Sequence, residues 1–306
     1  MTYKRKAAVL LALAVALLVT YVLILVSERE YSRNDVFAWL DPGVIVMADR
    51  IEISGPEGGI ALKRRNDVWV IDAGNMELPV KQSRVEDLFT LLSAKALYPV
   101  RSRTSEGARS LGLSEEAASR IIIRGGAGLP LLDLLVGSGD VLGREVYLKI
   151  QGRNQVHSGE GDFISFTGAG PEAWYNLRMF QALGIDAVQQ ADVVLPGGEA
   201  YTIRRSGAAW IIPGNENVPL ETRNVEAWLR SVIEAQCDNF QIDAPGNIEG
   251  SICLRLGDGT SRTLEVSSPD GQAWRGAVVS GSSLVYTLSD WTFNRIFKES
   301  SHFIKN

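Results

Sequence analysis

Apolar and polar positions alternate along most of this chain in short runs that end at Gly, Asn or Asp. Residues 60–64, 68–71, 120–124, 131–136, 145–150 and 154–158 are short runs bounded by such turn residues, which predicts strands. Residues 44–53 read the same way, with Ile51 and Ile53 on one face. The period changes once within this stretch. Val85, Leu88, Phe89 and Leu92 recur at i, i+3, i+4 and i+7, and Ser83 with Glu86 fits a capping box, which predicts an amphipathic helix. Residues 31–41 read as a link with a helical turn, broken by Asp41-Pro42-Gly43. Gly-rich turns rather than long crossovers join the strands, so the sheets are expected to be antiparallel.

The pattern then recurs. Trp69 and Trp210 lie 141 positions apart, and Pro79 and Pro219, like Val85 and Val225, lie 140 apart. Strands are again expected at residues 251–256, 263–266, 276–279 and 284–288, with Asp258-Gly259 as a hairpin turn. Each copy carries a closing Trp-x-x-x-Arg-x-Phe: Trp174, Arg178 and Phe180, then Trp291, Arg295 and Phe297. An ordered recurrence at a near-constant offset marks an internal repeat. The expected class is α+β. Two tandem units, residues 44–184 and 185–306, would each hold antiparallel strands, one packed helix and a short closing helix. Trp69 should coincide with Trp210, Val85 with Val225, and Trp174 with Trp291.

Residues 7–26 carry no charge and follow Lys4, Arg5 and Lys6. Twenty helical residues rise ~30 Å, one hydrocarbon core. The expectation is a cytoplasmic tail at 1–6, a transmembrane signal anchor at 7–26 that contacts the lipid bilayer, and a juxtamembrane link at 27–43. The basic residues before the span place the amino terminus inside a bacterial inner membrane and both units outside it.

Without the three tail cations the balance is 28 basic against 36 acidic residues, a poor surface for nucleic acid. Cys237 and Cys253 leave two readings open, a disulfide or two small buried hydrophobes. At the repeat offsets they match apolar Leu97 and Ile122. His157 and His302 are the only imidazoles, and neither has a second ligand at zinc spacing. No Gly-x-Ser-x-Gly elbow occurs. The glycines of residues 137–143 are followed by a strand, not a helix, so they read as a hairpin turn rather than a dinucleotide loop. Glu86 and Glu226 recur at one repeat position, as first-turn acids of helices do. Arg178 and Arg295 recur one turn after a Trp and are expected to stack on it. No catalytic, cofactor-binding or metal residue is assigned, and the chain is not expected to be an enzyme.

A set of short motifs follows in order: the anchor, a strand, the basic hairpin closing on Trp69, Leu78-Pro79-Val80, a helix, Leu111-Gly112-Leu113, Leu135-Val136-Gly137, Val146-Tyr147-Leu148 and Trp174-Tyr175-Asn176-Leu177-Arg178. This order resembles the bacterial family called domain of unknown function 4340. The resemblance implies an accessory envelope protein of an ABC-type transport system of the gliding-motility auxiliary kind. Its partners would be an ABC-type permease and an auxiliary extracytoplasmic subunit. It implies no catalytic residues. The alternative expectation is an extracytoplasmic protein that binds or processes cell-wall glycan through paired carboxylates.

Overall fold

A computed structural model describes residues 14–22, 36–74, 76–140, 142–241, 246–268 and 275–305. The expected α+β class gives way to a mostly β protein with three antiparallel sheets. The expected anchor is also corrected. Of the expected span, residues 14–22 are described and are helical, as α1. Among the described residues no helix is long and apolar enough to cross a membrane. The single-pass, inner-membrane placement and the bilayer contact through 7–26 lose their support with it. The tail 1–6, the ends of the expected span (7–13 and 23–26) and the first part of the link lie outside the described residues.

The chain forms two compact units that divide between Asn176 and Leu177, eight residues before the expected boundary. The reason is local. Cys237 N donates to Leu177 O at 2.9 Å and Met179 N to Ala235 O at 3.2 Å, and Met179 and Phe180 are buried in the second core. The first Trp-x-x-x-Arg-x-Phe stretch is therefore cut in two, with Trp174 in unit 1 and Arg178 and Phe180 in unit 2.

In unit 1, β1 (Val36–Phe37) precedes a 3-10 turn, Pro42–Met47, where residues 44–53 were expected to be strand throughout. Asp41 caps this turn by accepting from Gly43 N, and Pro42 opens it, a position proline favours. Then come β2 (Ala48–Gly55), β3 (Gly58–Arg65), β4 (Val68–Asp72), β5 (Glu77–Pro79), α2 (Gln82–Ser93), β6 (Ala96–Leu97), β7 (Val100–Ser102) and α3 (Ser105–Ser110). The unit continues with β8 (Ser119–Gly125), β9 (Pro130–Gly139), β10 (Glu145–Ile150), β11 (Val156–Glu160) and α4 (Asp162–Thr167). The large sheet runs β5-β4-β3-β2-β8-β9-β10-β11-β7, and β1 pairs β6 in a small one. Where a helical turn was expected in the link, β1 forms this pairing, and Leu40 N donates to Leu92 O at 3.0 Å. The two-residue turn of the β3–β4 hairpin has positive φ at Asn66 and Asp67, a conformation these side chains tolerate and that matches strand twist.

Unit 2 contains β12 (Val188–Val194), β13 (Ala200–Ser206), β14 (Ala209–Ile211), α5 (Thr222–Ile233), β15 (Asn239–Gln241), β16 (Ile248–Leu256), β17 (Ser261–Ser267), β18 (Arg275–Val279), β19 (Val285–Leu288) and α6 (Asp290–Ile296). Its sheet runs β14-β13-β12-β16-β17-β18-β19-β15, the order of the first sheet without a counterpart of β5. The registers agree as well. Trp69 lies opposite Arg64 and Trp210 opposite Arg205. Ile53 pairs Ile121, and Val193 pairs Ile252. Helices α2 and α5 each span twelve residues.

Each sheet turns one face to its helix. Ile51, Ile53, Ile121 and Ile123 are buried with Val85, Leu88, Phe89 and Leu92 in unit 1; Ile252, Leu254, Leu264 and Val266 are buried with Val225, Trp228, Leu229 and Val232 in unit 2. Burial of each such side chain stabilises by roughly 1.5–3 kcal/mol, so these faces decide the fold. The capping box is not formed. Lys81 is the N-cap of α2 and its side chain makes no capping hydrogen bond to the helix. Instead Gln82 ties the helix start to β4, accepting from Trp69 N at 3.2 Å and donating to Trp69 O at 2.7 Å.

The closing Trp pair does not coincide. Trp174 is buried, whereas Trp291 is 68% exposed. The residue at the place of Trp174 is Phe303. Lys81 N donates to Trp174 O at 2.9 Å, and Glu221 N to Phe303 O at 2.8 Å. The next residues form equivalent bridges, Val80 with Tyr175 and Leu220 with Ile304. A 3-10 turn ends on each aromatic, Pro171–Trp174 and Ser300–Phe303, and folds it under the helix.

Both cysteines are free. Burial pushes the Cys237 thiol up to about 12, whereas Cys253 on β16 is partly exposed. A thiol-specific chromogenic reagent at pH 8 should therefore titrate one equivalent, Cys253, in the native chain and two in denaturant. No native reaction, with two equivalents released only by reductant, would mean a disulfide.

Candidate functional site

The best-formed concavity in unit 1 lies where the segment after β1 crosses β9, β10 and β11. Its volume is about 320 Å³, at the low end of ligand pockets. Phe37, Trp39, Leu132 and Ile150 line it, with His157, Gln155 and Arg153 as its polar members.

Strand alternation puts His157 on this face of β11, and an aromatic cluster holds it. Phe37 and Trp39 meet edge to face at 4.9 Å, and the His157 ring stands 5.2 Å from Phe37 and 5.6 Å from Trp39. Tyr98 completes the group at 5.0 Å from Phe37. Burial pushes the Tyr98 phenol upward, partly offset by the Trp39 indole beside it. His157 Nδ1 lies 2.7 Å from Tyr98 O. A carbonyl only accepts, so Nδ1 is the donor in this bond. In unit 2, Tyr286 occupies the His157 position, opposite Phe240 as His157 is opposite Val100.

The charges around the pocket are uneven. Asp133 is held by Arg120 through two bonds of 2.7 and 2.6 Å, so its carboxylate is neutralised. Arg153, on the loop between β10 and β11, is exposed and forms no ion pair among the described residues. Gln155 follows it on the same loop, and both line the cavity.

A second cavity, about 420 Å³, lies between the ends of β2, β8 and β9 and the end of α4, and has one carboxylate, Glu116. Neither cavity holds the pair of carboxylates that the glycan-processing expectation needs.

The remaining sequence candidates are dispersed. His302 is exposed, edge-on to Phe303 at 5.2 Å. Residues 137–139 are the end of β9 rather than part of a turn, and beyond them Asp140 accepts from Arg144 N and Glu145 N at the start of β10; the bond from Glu145 N is the main reason its carboxyl is held below the ordinary range. Glu86 is exposed on α2, and Glu226 is half-buried on α5. Arg295 lies over the Trp291 ring at 4.7 Å, while Arg178 bridges to Gln236. No group of three His, Cys, Asp or Glu able to hold a metal occurs among the described residues.

Alternation also repeats a polar cluster on the outer face of each sheet. Glu52 accepts from Arg50 at 2.7 Å and faces Arg124 at 3.8 Å. At the same strand positions Asp192 accepts from Gln190 and Arg255, each at 2.8 Å. Partial burial pushes the Asp192 carboxyl up, but the bonds from Arg255, Thr202 and Gln190 outweigh this and hold it below the ordinary value. Pairs this exposed add at most about 1 kcal/mol each, so the clusters shape the polar face more than they stabilise it.

The fold and site thus describe an antiparallel β protein of two like units, one of which has an aromatic-walled pocket. Comparison with family models, with curated proteins and with solved structures returned no match.

Proposed function

We propose that this chain is a non-catalytic accessory protein whose two β units bind other subunits of an ABC-type transport system. The single observation behind this reading is how the ionisable side chains are used. On both outer sheet faces they engage one another, as Glu52 does with Arg50 and Asp192 with Arg255, rather than converging on a cleft. Charge pairs of this kind suit the polar, solvent-accessible rim of a protein contact. The motif order that resembles the domain of unknown function 4340 family supplies the partner class, a permease and its auxiliary subunit.

Affinity purification of the full chain from its own cells in mild detergent tests this. The permease and the auxiliary subunit are expected to copurify, and removal of residues 177–306 is expected to abolish the association. A chain recovered alone, or a complex that survives loss of unit 2, overturns the reading.

A further inference from the structure

We infer that the pocket over His157 binds a small apolar group bearing a carboxylate. The volume, about 320 Å³, lies at the low end of ligand pockets and suits a small ligand such as one aromatic or branched aliphatic group. The walls suit such a group. Phe37 and Trp39 present ring edges and faces, and Leu132 and Ile150 supply aliphatic surface. The polar rim determines the charge. Arg153 is unengaged among the described residues, while the one carboxylate in the lining, Asp133, is already committed to Arg120. A carboxylate seated there gains a charge-assisted bond from Arg153, and the Gln155 amide offers a second donor. A cationic ligand would meet Arg153 with no free acid to answer it, and a neutral apolar ligand would leave the guanidinium unused.

This chemistry has two sources, a free small acid or the last residue of a polypeptide with its terminal carboxylate. The site does not rest on the transport reading, because it is tested on the purified full chain alone.

Calorimetric titration with 3-phenylpropionate is expected to show binding, and 3-phenylpropionamide is expected to bind about tenfold more weakly or worse, the loss of one charge-assisted bond. Arg153→Gln should erase the difference between acid and amide. Ala38→Trp, which fills the cavity, should abolish binding of both, and circular dichroism checks that each variant is folded. A pentapeptide ending in Phe with a free carboxylate distinguishes the sources. Binding at least as tight as the acid assigns the site to a polypeptide terminus, and binding about tenfold weaker assigns it to a free acid. The inference is overturned if the acid does not bind at millimolar concentration, if acid and amide bind alike, or if Arg153→Gln leaves their difference intact.

Discussion

Trp174→Ala is expected to destabilise unit 1 by about 3–5 kcal/mol, the cost of emptying a large buried aromatic site. Trp174 is 1% exposed, lies 6.0 Å from the Phe166 ring and carries the Arg84 guanidinium over its own ring at 4.7 Å. Its loss also strips the cover from Arg84, whose Nε has no hydrogen-bond partner. Phe303→Ala should cost unit 2 a similar amount, since Phe303 is fully buried and meets Trp228 at 5.1 Å. Trp291→Ala, at an exposed position, should change stability by no more than about 0.5 kcal/mol. Chemical denaturation of the three variants checks all of this. Equal losses for Trp174→Ala and Trp291→Ala would mean that Trp291, not Phe303, is the counterpart of Trp174.

The second large effect comes from a glycine. A Cβ added to Gly55, at the end of β2, would lie 1.9 Å from the carbonyl oxygen of Thr167 at the end of α4. That atom is backbone and cannot swing aside, so strand and helix would have to part. Gly55→Ala is expected to cost about 3 kcal/mol, the upper range for overpacking. Gly126→Ala is the control, because a Cβ there meets nothing within 4 Å, and it should fall within about 0.5 kcal/mol of the parent. Urea midpoints at constant slope give both numbers. Equal costs for the two variants would show that the close approach at Gly55 does not exist in solution.

Much of the strand order was legible because alternation and turn chemistry act locally. The Asn66-Asp67 hairpin and the antiparallel return from β9 to β10 follow from residues near the turns themselves, although β9 runs on through Gly139 where the turn was expected to begin at Gly137. The repeat was legible because Trp69 and Trp210, or Val85 and Val225, keep both type and spacing. What failed depended on distant partners. The helix start was misread because Gln82 bonds to Trp69 on another strand, which outweighs the local Ser83–Glu86 pattern. The matching of Trp174 to Trp291 followed a likeness of letters. The offsets warned against it. They run from 141 at Trp69 to 129 at His157 and Tyr286, and the pair would need 117, a loss of twelve more residues with no deletion to account for it. The expected anchor came from composition alone, and the described residues contain no helix of that length. The pocket could not be seen because Phe37 and Trp39 reach it from more than 90 residues away from Leu132 and His157. The only signal was two aromatics in a link that had no other reason to be apolar.

The bridges that close each unit have a consequence for how the chain is made. Val80 waits for Tyr175, and Leu220 waits for Ile304, so the residue just before each helix gains its bridge only after nearly the whole unit has been synthesised. Such long-range pairings are slow to form. On the ribosome, the nascent first unit would therefore stay open, with its apolar sheet face unsealed, until residues near Asn176 leave the exit tunnel. It then closes as a body while the second unit is still being translated. A translational pause just beyond that point would allow the first unit to finish before the second presents the same strand order as a competing partner.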